Sequence, residues 1–252
     1  MRRRPGVPAT VVGVLVVGTI AWSALAADGA LLTPVVIGWL VVGGVALAWW
    51  LDEKRHERLA EWATARGWAY QRQDQSLVSG WSGEPFGEGH SRRATEVLRG
   101  AVDGHGVVSF TYRWTVGSGK EKTTHTRQVV VLGLPASLPT LELTPEWLGT
   151  RVLRALGGQD IQFESEDFNR AWRVRARALK FAHDVVNPRL MARLLLPDAQ
   201  GTSLRIEGAT VLTWMPGRTD VERVDAALTL LQVVSAAVPQ YVWEDRGHST
   251  PR

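Results

Sequence analysis

Gly117-Ser118-Gly119-Lys120 is the segment nearest to a phosphate-binding loop. Such a loop needs G-x-x-x-x-G-K-[ST], so that successive amides and the lysine surround the phosphates. Here Trp114 stands at the first glycine position and Glu121 follows Lys120, so the segment reads as a hairpin turn. Gly87-Glu88-Gly89-His90 offers two close glycines without the strand and helix of a dinucleotide site, and reads as loop. Histidines are equally unhelpful. His56-Glu57 begins like a zinc-protease helix, but Ala60 stands where the second ligand belongs. His105 and His125 fall on neighbouring predicted strands without a third ligand, which favours two surface residues over a metal site. His183 and Asp184 are adjacent, so on a helix they diverge by about 100° and form no direct dyad.

Carboxylates and arginines give two further candidates. Glu164, Glu166 and Asp167 cluster near a predicted turn, where acid–base chemistry would need two carboxyls in unlike environments. Compensation of a helix N-terminus explains Glu166 and Asp167 as well. Arg173, Arg175 and Arg177 alternate, as one face of a strand would, and fit either an anionic ligand or lipid, or a solvated face paired with those acids. No catalytic, cofactor-binding or metal residue is assigned from the sequence. Without cysteine there is no disulfide framework, zinc–thiolate site or thiol nucleophile. The net charge of +4 comes without a basic block, so no nucleic-acid partner is expected.

The elements that carry these residues are partly readable. After a helix over 52–66 comes a Gly-, Ser- and Gln-rich stretch, 71–91, that reads as loop. Strands follow at 95–102, 107–116 and 123–132, the first pair joined at Asp103-Gly104, a strong hairpin signal. A fourth short strand fits 140–143, and a helix fits from Thr144 with Pro145 in its first turn, ending at Gly157-Gly158. Residues 172–175 read as extended, and two helices meet at Asn187-Pro188. A hairpin is expected at Glu207-Gly208, between 203–206 and 209–214. Thr219-Asp220-Val221-Glu222 reads as a capping box opening a helix with Val221, Val224, Leu228, Leu231 and Val238 on one face. Hairpins rather than strand–helix–strand crossovers predict an α+β fold with antiparallel sheet and a long C-terminal helix, over 67–244, followed by a tail at 245–252.

Two uncharged runs precede all of this, 9–27 and 31–51, each close to the roughly 20 residues that cross a bilayer. Only Ala27-Asp28-Gly29-Ala30 separates their cores, so the pair reads as a transmembrane helical hairpin, with Trp49 and Trp50 at an interface. Arg2, Arg3 and Arg4 precede the first run, and Lys54, Arg55 and Arg58 follow the second. By the positive-inside rule both ends face the cytosol. Ala24-Leu25-Ala26 also matches a signal-peptide cleavage site, and the large domain is cytosolic under either reading.

The run from Phe163 to Val174, Phe-Glu-Ser-Glu-Asp-Phe-Asn-Arg-Ala-Trp-Arg-Val, resembles a group of uncharacterised bacterial membrane proteins, mostly actinobacterial. So do Lys180-Phe181-Ala182-His183-Asp184 and Asn187-Pro188-Arg189-Leu190-Met191, and, upstream, Pro85-Phe86-Gly87, Val97-Leu98-Arg99-Gly100 and Ser109-Phe110-Thr111-Tyr112. The resemblance spans about 60–240 and implies a membrane-anchored domain without a known activity. Those proteins usually carry Asp-Pro where this chain has Ala178-Leu179; a helix cap is the simplest role for that Asp. The expectation is therefore a multi-pass membrane protein whose partners are the bilayer and another membrane or cytosolic protein. The domain would act as a non-enzymatic scaffold or adaptor, with an anionic ligand- or lipid-responsive module and a hydrolase without recognisable motif as alternatives.

Overall fold

The computed structural model describes residues 32–146 and 160–246. The element order is α1 (Leu32–Ala65), β1 (Ala69–Gln73), β2 (His90–Val102), β3 (His105–Val116), β4 (Thr123–Pro145), α2 (Glu166–Ala171), β5 (Trp172–Ala176), α3 (Leu179–Val185), α4 (Pro188–Leu194), β6 (Ser203–Pro216), α5 (Val221–Ala236) and α6 (Gln240–Glu244). By its internal contacts the chain falls into two units, Met1–Arg55 and His56–Arg252.

The described strands of the second unit form one six-stranded antiparallel sheet in the order β1-β2-β3-β4-β5, with β6 along the other edge of β4. β4 organises it. Its first half pairs with β3, its last five residues with β5, and β6 follows it from Arg127 to Leu143. The α+β expectation holds for this unit.

Alternation decides what each face buries. Val107, Ser109 and Thr111 of β3 point one way, and Phe110, Tyr112 and Trp114 the other. On the first side the sheet meets helices: Leu98, Val130, Leu141 and Ile206 pack with Phe181, Leu190, Leu194, Val224, Leu231 and Trp243. The end of α1 joins this core through Leu59 and Ala63, and the turn after it closes with Gly67 at positive φ and Trp68 N–H bonded to the Ala63 carbonyl. Trp68 lies flat on Gly100, where a Cβ would come within 2.3 Å of its ring. On the second side an aromatic core of Phe86, Phe110, Tyr112, Trp114 and Trp214 is capped by the segment 75–89.

Two bulges reset the alternation. Glu96 takes φ +53 where the β2–β3 register shifts between Thr95 and Leu98. Gly208 takes φ +59 within the β4–β6 irregularity, so Leu204 and Ile206 before it and Val211 after it all face the helices. The helices are capped locally: Ser165 accepts from Phe168 N, Asn187 from Leu190 N, and Asp220 from Glu222 N. Ala178 is the N-cap of α3 and makes no side-chain bond, so the resemblance-implied Asp falls on a capping position.

Several expectations change. Glu207-Gly208 is a bulge inside one continuous β6 rather than a hairpin turn, because the β4 partner continues past it. The strand expected at 140–143 is the end of β4, which extends through Thr144 and Pro145 because β5 pairs with both. Residues 147–159, the rest of the helix expected there, lie outside the described residues. The stretch 71–91 is less irregular than its composition implies, holding part of β1 and a 3-10 turn, Gln75–Ser79. Asp220, not Thr219, caps α5. The helix expected at 52–66 is the end of α1, which starts at Leu32. Among the described residues no helix is long and apolar enough to cross a membrane, so the spanning hairpin is not shown. Its first run, 9–27, lies outside the described residues, as does most of the tail.

Candidate functional site

The segment 75–89 is held over the aromatic face by a chain of polar contacts. Asp74 accepts from Ser76 N at 3.0 Å and pairs with Arg99, fixing the start of the segment. Trp81 Nε1 donates to Thr210 Oγ1 at 3.0 Å, and Ser82 Oγ donates to Glu207 at 2.6 Å. Tyr112 donates its hydroxyl to the Phe86 carbonyl at 3.3 Å.

Arg205 is the centre of this arrangement. It is 1% exposed, and its cross-strand partner Glu142 is 2% exposed. Nε donates to Glu142 Oε2 at 2.8 Å, Nη2 to the Glu84 carbonyl at 2.8 Å and Nη1 to the Ser82 carbonyl, while the guanidinium lies 5.1 Å from the Trp214 ring. Gly83 sits at φ +70, and a Cβ there would come 3.0 Å from Nη2. The guanidinium thus joins β4, β6 and the covering segment at one point.

Glu84 stands beside this pair. Burial holds its carboxyl above the usual carboxylate range, with the negative charges of Glu88 and Glu142 adding to the effect and Arg127 and Arg205 opposing it. Its buried Oε2 has no hydrogen-bond partner. A folded-state value raised above the unfolded one favours the protonated fold. That contribution is full below the ordinary value of 4.5 and is lost as pH rises through the folded value. Glu84→Gln, neutral throughout, is therefore expected to raise the melting temperature over wild type at pH 8 and to leave it unchanged near pH 4. Paired thermal melts at the two pH values check this, and an equal gap at both would refute it.

A second buried carboxylate lies on the helix side. Glu96, 1% exposed at its side chain, accepts from Thr111 Oγ1 at 2.5 Å and from Arg218 Nε at 3.0 Å. Thr219 N donates to Thr111 Oγ1 at 2.7 Å, which fixes the chain just before Asp220 caps α5. The bulge in β2 turns Glu96 to this face.

The residues singled out in the sequence are dispersed. Arg173 is paired with Glu146 at 2.6 Å and with Asp160 at 3.2 Å, and Arg175, 7% exposed, with Asp160 at 3.0 Å. Asp167 pairs with Arg170 on the surface, and Ser165 caps α2. His105 and His125 do lie on adjacent strands, but His105 opposes Val102 and His125 opposes Trp114, nine residues further along β3, or about 30 Å. His125 stacks on Trp114 and His183 packs on Phe163. Gly117-Ser118-Gly119-Lys120 is the β3–β4 connection, with its 3-10 turn at Gly119–Glu121. Among the described residues no group of three His, Cys, Asp or Glu is placed to hold a metal ion.

Glu84, Glu96, Glu142 and Arg205 were not singled out. The signal available for two of them is a lone charge flanked by aliphatic residues, Leu141-Glu142-Leu143 and Leu204-Arg205-Ile206. Nothing local shows that they oppose each other.

No protein-family profile matches the chain, and no curated protein matches it. Among solved structures, the chain is similar to the crystal structure of the mycobacterial trehalose monomycolate transport factor A, TtfA. The TM-score is 0.54 at 16% identity, over 72% of this chain and 93% of that one. At that identity the likeness shows the fold alone, from a source in keeping with the actinobacterial resemblance drawn from the sequence.

Proposed function

We propose that the chain is a membrane-held, non-enzymatic scaffold or adaptor that presents its α+β domain on the cytosolic side. The observation that carries this reading is the use made of the charged residues. The most deeply buried pair, Arg205 and Glu142, fastens strands to the covering segment, and Glu96 with Arg218 fastens the start of α5. Arg173 and Arg175, the candidates for anionic ligand or lipid, are engaged with Asp160 and Glu146, which weakens that alternative. The shared fold is compatible with this reading: the neighbour is named as a transport factor, and an accessory role in transport is the extension proposed here.

Anchoring rests on the two uncharged runs and on α1. Its Leu40, Val41, Val45 and Leu47 are 56–70% exposed, and Trp49, Trp50 and Leu51 follow at about half. Such a patch in water is unfavourable, and a bilayer would cover it. A cytosol-active reporter fused after Arg252 is expected to work and an externally active one to fail, with the chain retained in carbonate-washed membranes. The reverse reporter pattern, or release by carbonate, would overturn the anchored topology. Crosslinked capture from membranes is expected to return a defined protein partner; turnover of a substrate by the purified chain would overturn the non-enzymatic reading.

A further inference from the structure

The end of the sheet beyond the start of α5 is basic. Val107, Ser109 and Thr111 of β3 face the helices, and Thr111 is covered by Thr219, just before α5 begins. Arg113 is the next residue in that alternation and is exposed. Arg93 of β2 stands directly opposite Arg113, so the two share this face, and Arg93 is exposed as well. Like charges directly opposite each other on a sheet oppose folding.

Nothing on the domain offsets this pair. Among the described residues neither Arg93 nor Arg113 makes a hydrogen bond or an ion pair. The nearby carboxylates are otherwise engaged. Glu96 is taken by Arg218, whose side chain is 38% exposed beside the pair, and by Thr111. Asp220 caps α5 and lies 3.7 Å from Arg223, and Glu222 sits in the first turn of α5, where it offsets the helix N-terminus. Two guanidiniums on an open face suit phosphate groups, whose oxygens accept paired hydrogen bonds from each.

Position along the chain selects the source of those phosphates. His56, the first residue of the second unit, bonds the Tyr70 hydroxyl on the helix side of β1. Tyr70 opposes Leu98, and Arg93 lies five residues along β2 from Leu98, about 15 Å. Leu51, the end of the second uncharged run, is only about 8 Å of helix before His56. A membrane that takes up that run is therefore within reach of both arginines.

We infer that Arg93 and Arg113 dock the domain on the anionic headgroups of the membrane that holds it, with Arg218 at the margin of the contact. The inference rests on the membrane-held reading above. Because the tether makes docking intramolecular, weak contacts suffice. Each arginine at an anionic surface favours the docked state about fivefold, so the pair supplies roughly 30-fold.

The test uses the full chain in nanodiscs of phosphatidylcholine, with and without phosphatidylglycerol, each carrying the same share of lipid with a nitroxide on its headgroup. The chain has no cysteine, so Ser118→Cys, exposed in the β3–β4 connection and making no cap bond, takes a single bimane label. Its quenching reports contact of this end of the sheet with the headgroups. Quenching is expected only with phosphatidylglycerol, and high salt is expected to relieve it. Arg93→Gln with Arg113→Gln is expected to lower the docked-to-free ratio about 30-fold while leaving the thermal melt in neutral discs unchanged. Arg93→Lys with Arg113→Lys, which keeps the charge, is expected to retain docking. Quenching that ignores phosphatidylglycerol, or that survives the double Gln change, overturns the inference and leaves these arginines to an acidic protein segment or to water. A chain that does not stay with the discs overturns the membrane-held reading and this inference with it, an outcome seen separately by gel filtration.

Discussion

Arg205→Leu is expected to cost about 3–5 kcal/mol of stability, a large part of what a domain of this size possesses. The cost does not come from losing an attraction. It comes from leaving the Glu142 carboxylate, 2% exposed, without a counter-charge, and the Ser82 and Glu84 carbonyls without their donor. The comparison that tests this is the double replacement of Arg205 and Glu142 by leucine, which leaves no buried charge in the pair. If desolvation is the cause, the double variant recovers much of the loss, because an apolar pair of similar volume is often as stable as a buried ion pair. Urea melts of the three proteins decide it. The single variant should also loosen 75–89, seen as faster amide exchange there than in β3. A single variant within about 1 kcal/mol of wild type would mean that water reaches Glu142 and that the pair is not closed off.

That pair shows why the candidate site was less legible than the fold. Hairpins and caps are local: Asp103-Gly104, Asn187-Pro188 and the β3–β4 turn are each readable within a few residues, and they are where expected. Glu142 and Arg205 lie 63 residues apart, and only the β4–β6 register makes them neighbours. The bulge at Gly208 explains the wrong hairpin. A glycine after glutamate between two β-rich runs has the composition of a turn, and only the unbroken partner strand makes it a bulge. Arg173 and Arg175 lie on a strand as expected, whereas Arg177 falls just past its end, and the partners of the first two, Glu146 and Asp160, come from outside the Glu164–Asp167 cluster expected to neutralise them. Local chemistry predicts local geometry; pairing across strands is a tertiary property.

Leu228→Asp is expected to unfold the domain, at a cost of about 4 kcal/mol or more, because it places a charge in the helix-side core. Leu228 is 5% exposed and lies with Val224 and Leu231 on the face of α5 that packs against β4 and β6. The stripe read from sequence spacing is that face, except that Val221 is only half-buried and Val238, though buried, lies past the end of α5. Asp225 is on the opposite side, half exposed, and pairs bidentately with Arg66, so Asp225→Ala should cost no more than about 1 kcal/mol. The measurement suits a fragment from His56 to Arg246. Starting at Glu61 instead would remove Leu59, 4% exposed in the same core, and the contact of His56 with the Tyr70 hydroxyl. The wild-type fragment should melt cooperatively by circular dichroism, Asp225→Ala should follow it closely, and Leu228→Asp should show no native transition. A cooperative Leu228→Asp melt near wild type would mean that α5 tilts that position into water. A wild-type fragment without a transition would mean that the sheet and its helices depend on residues before His56.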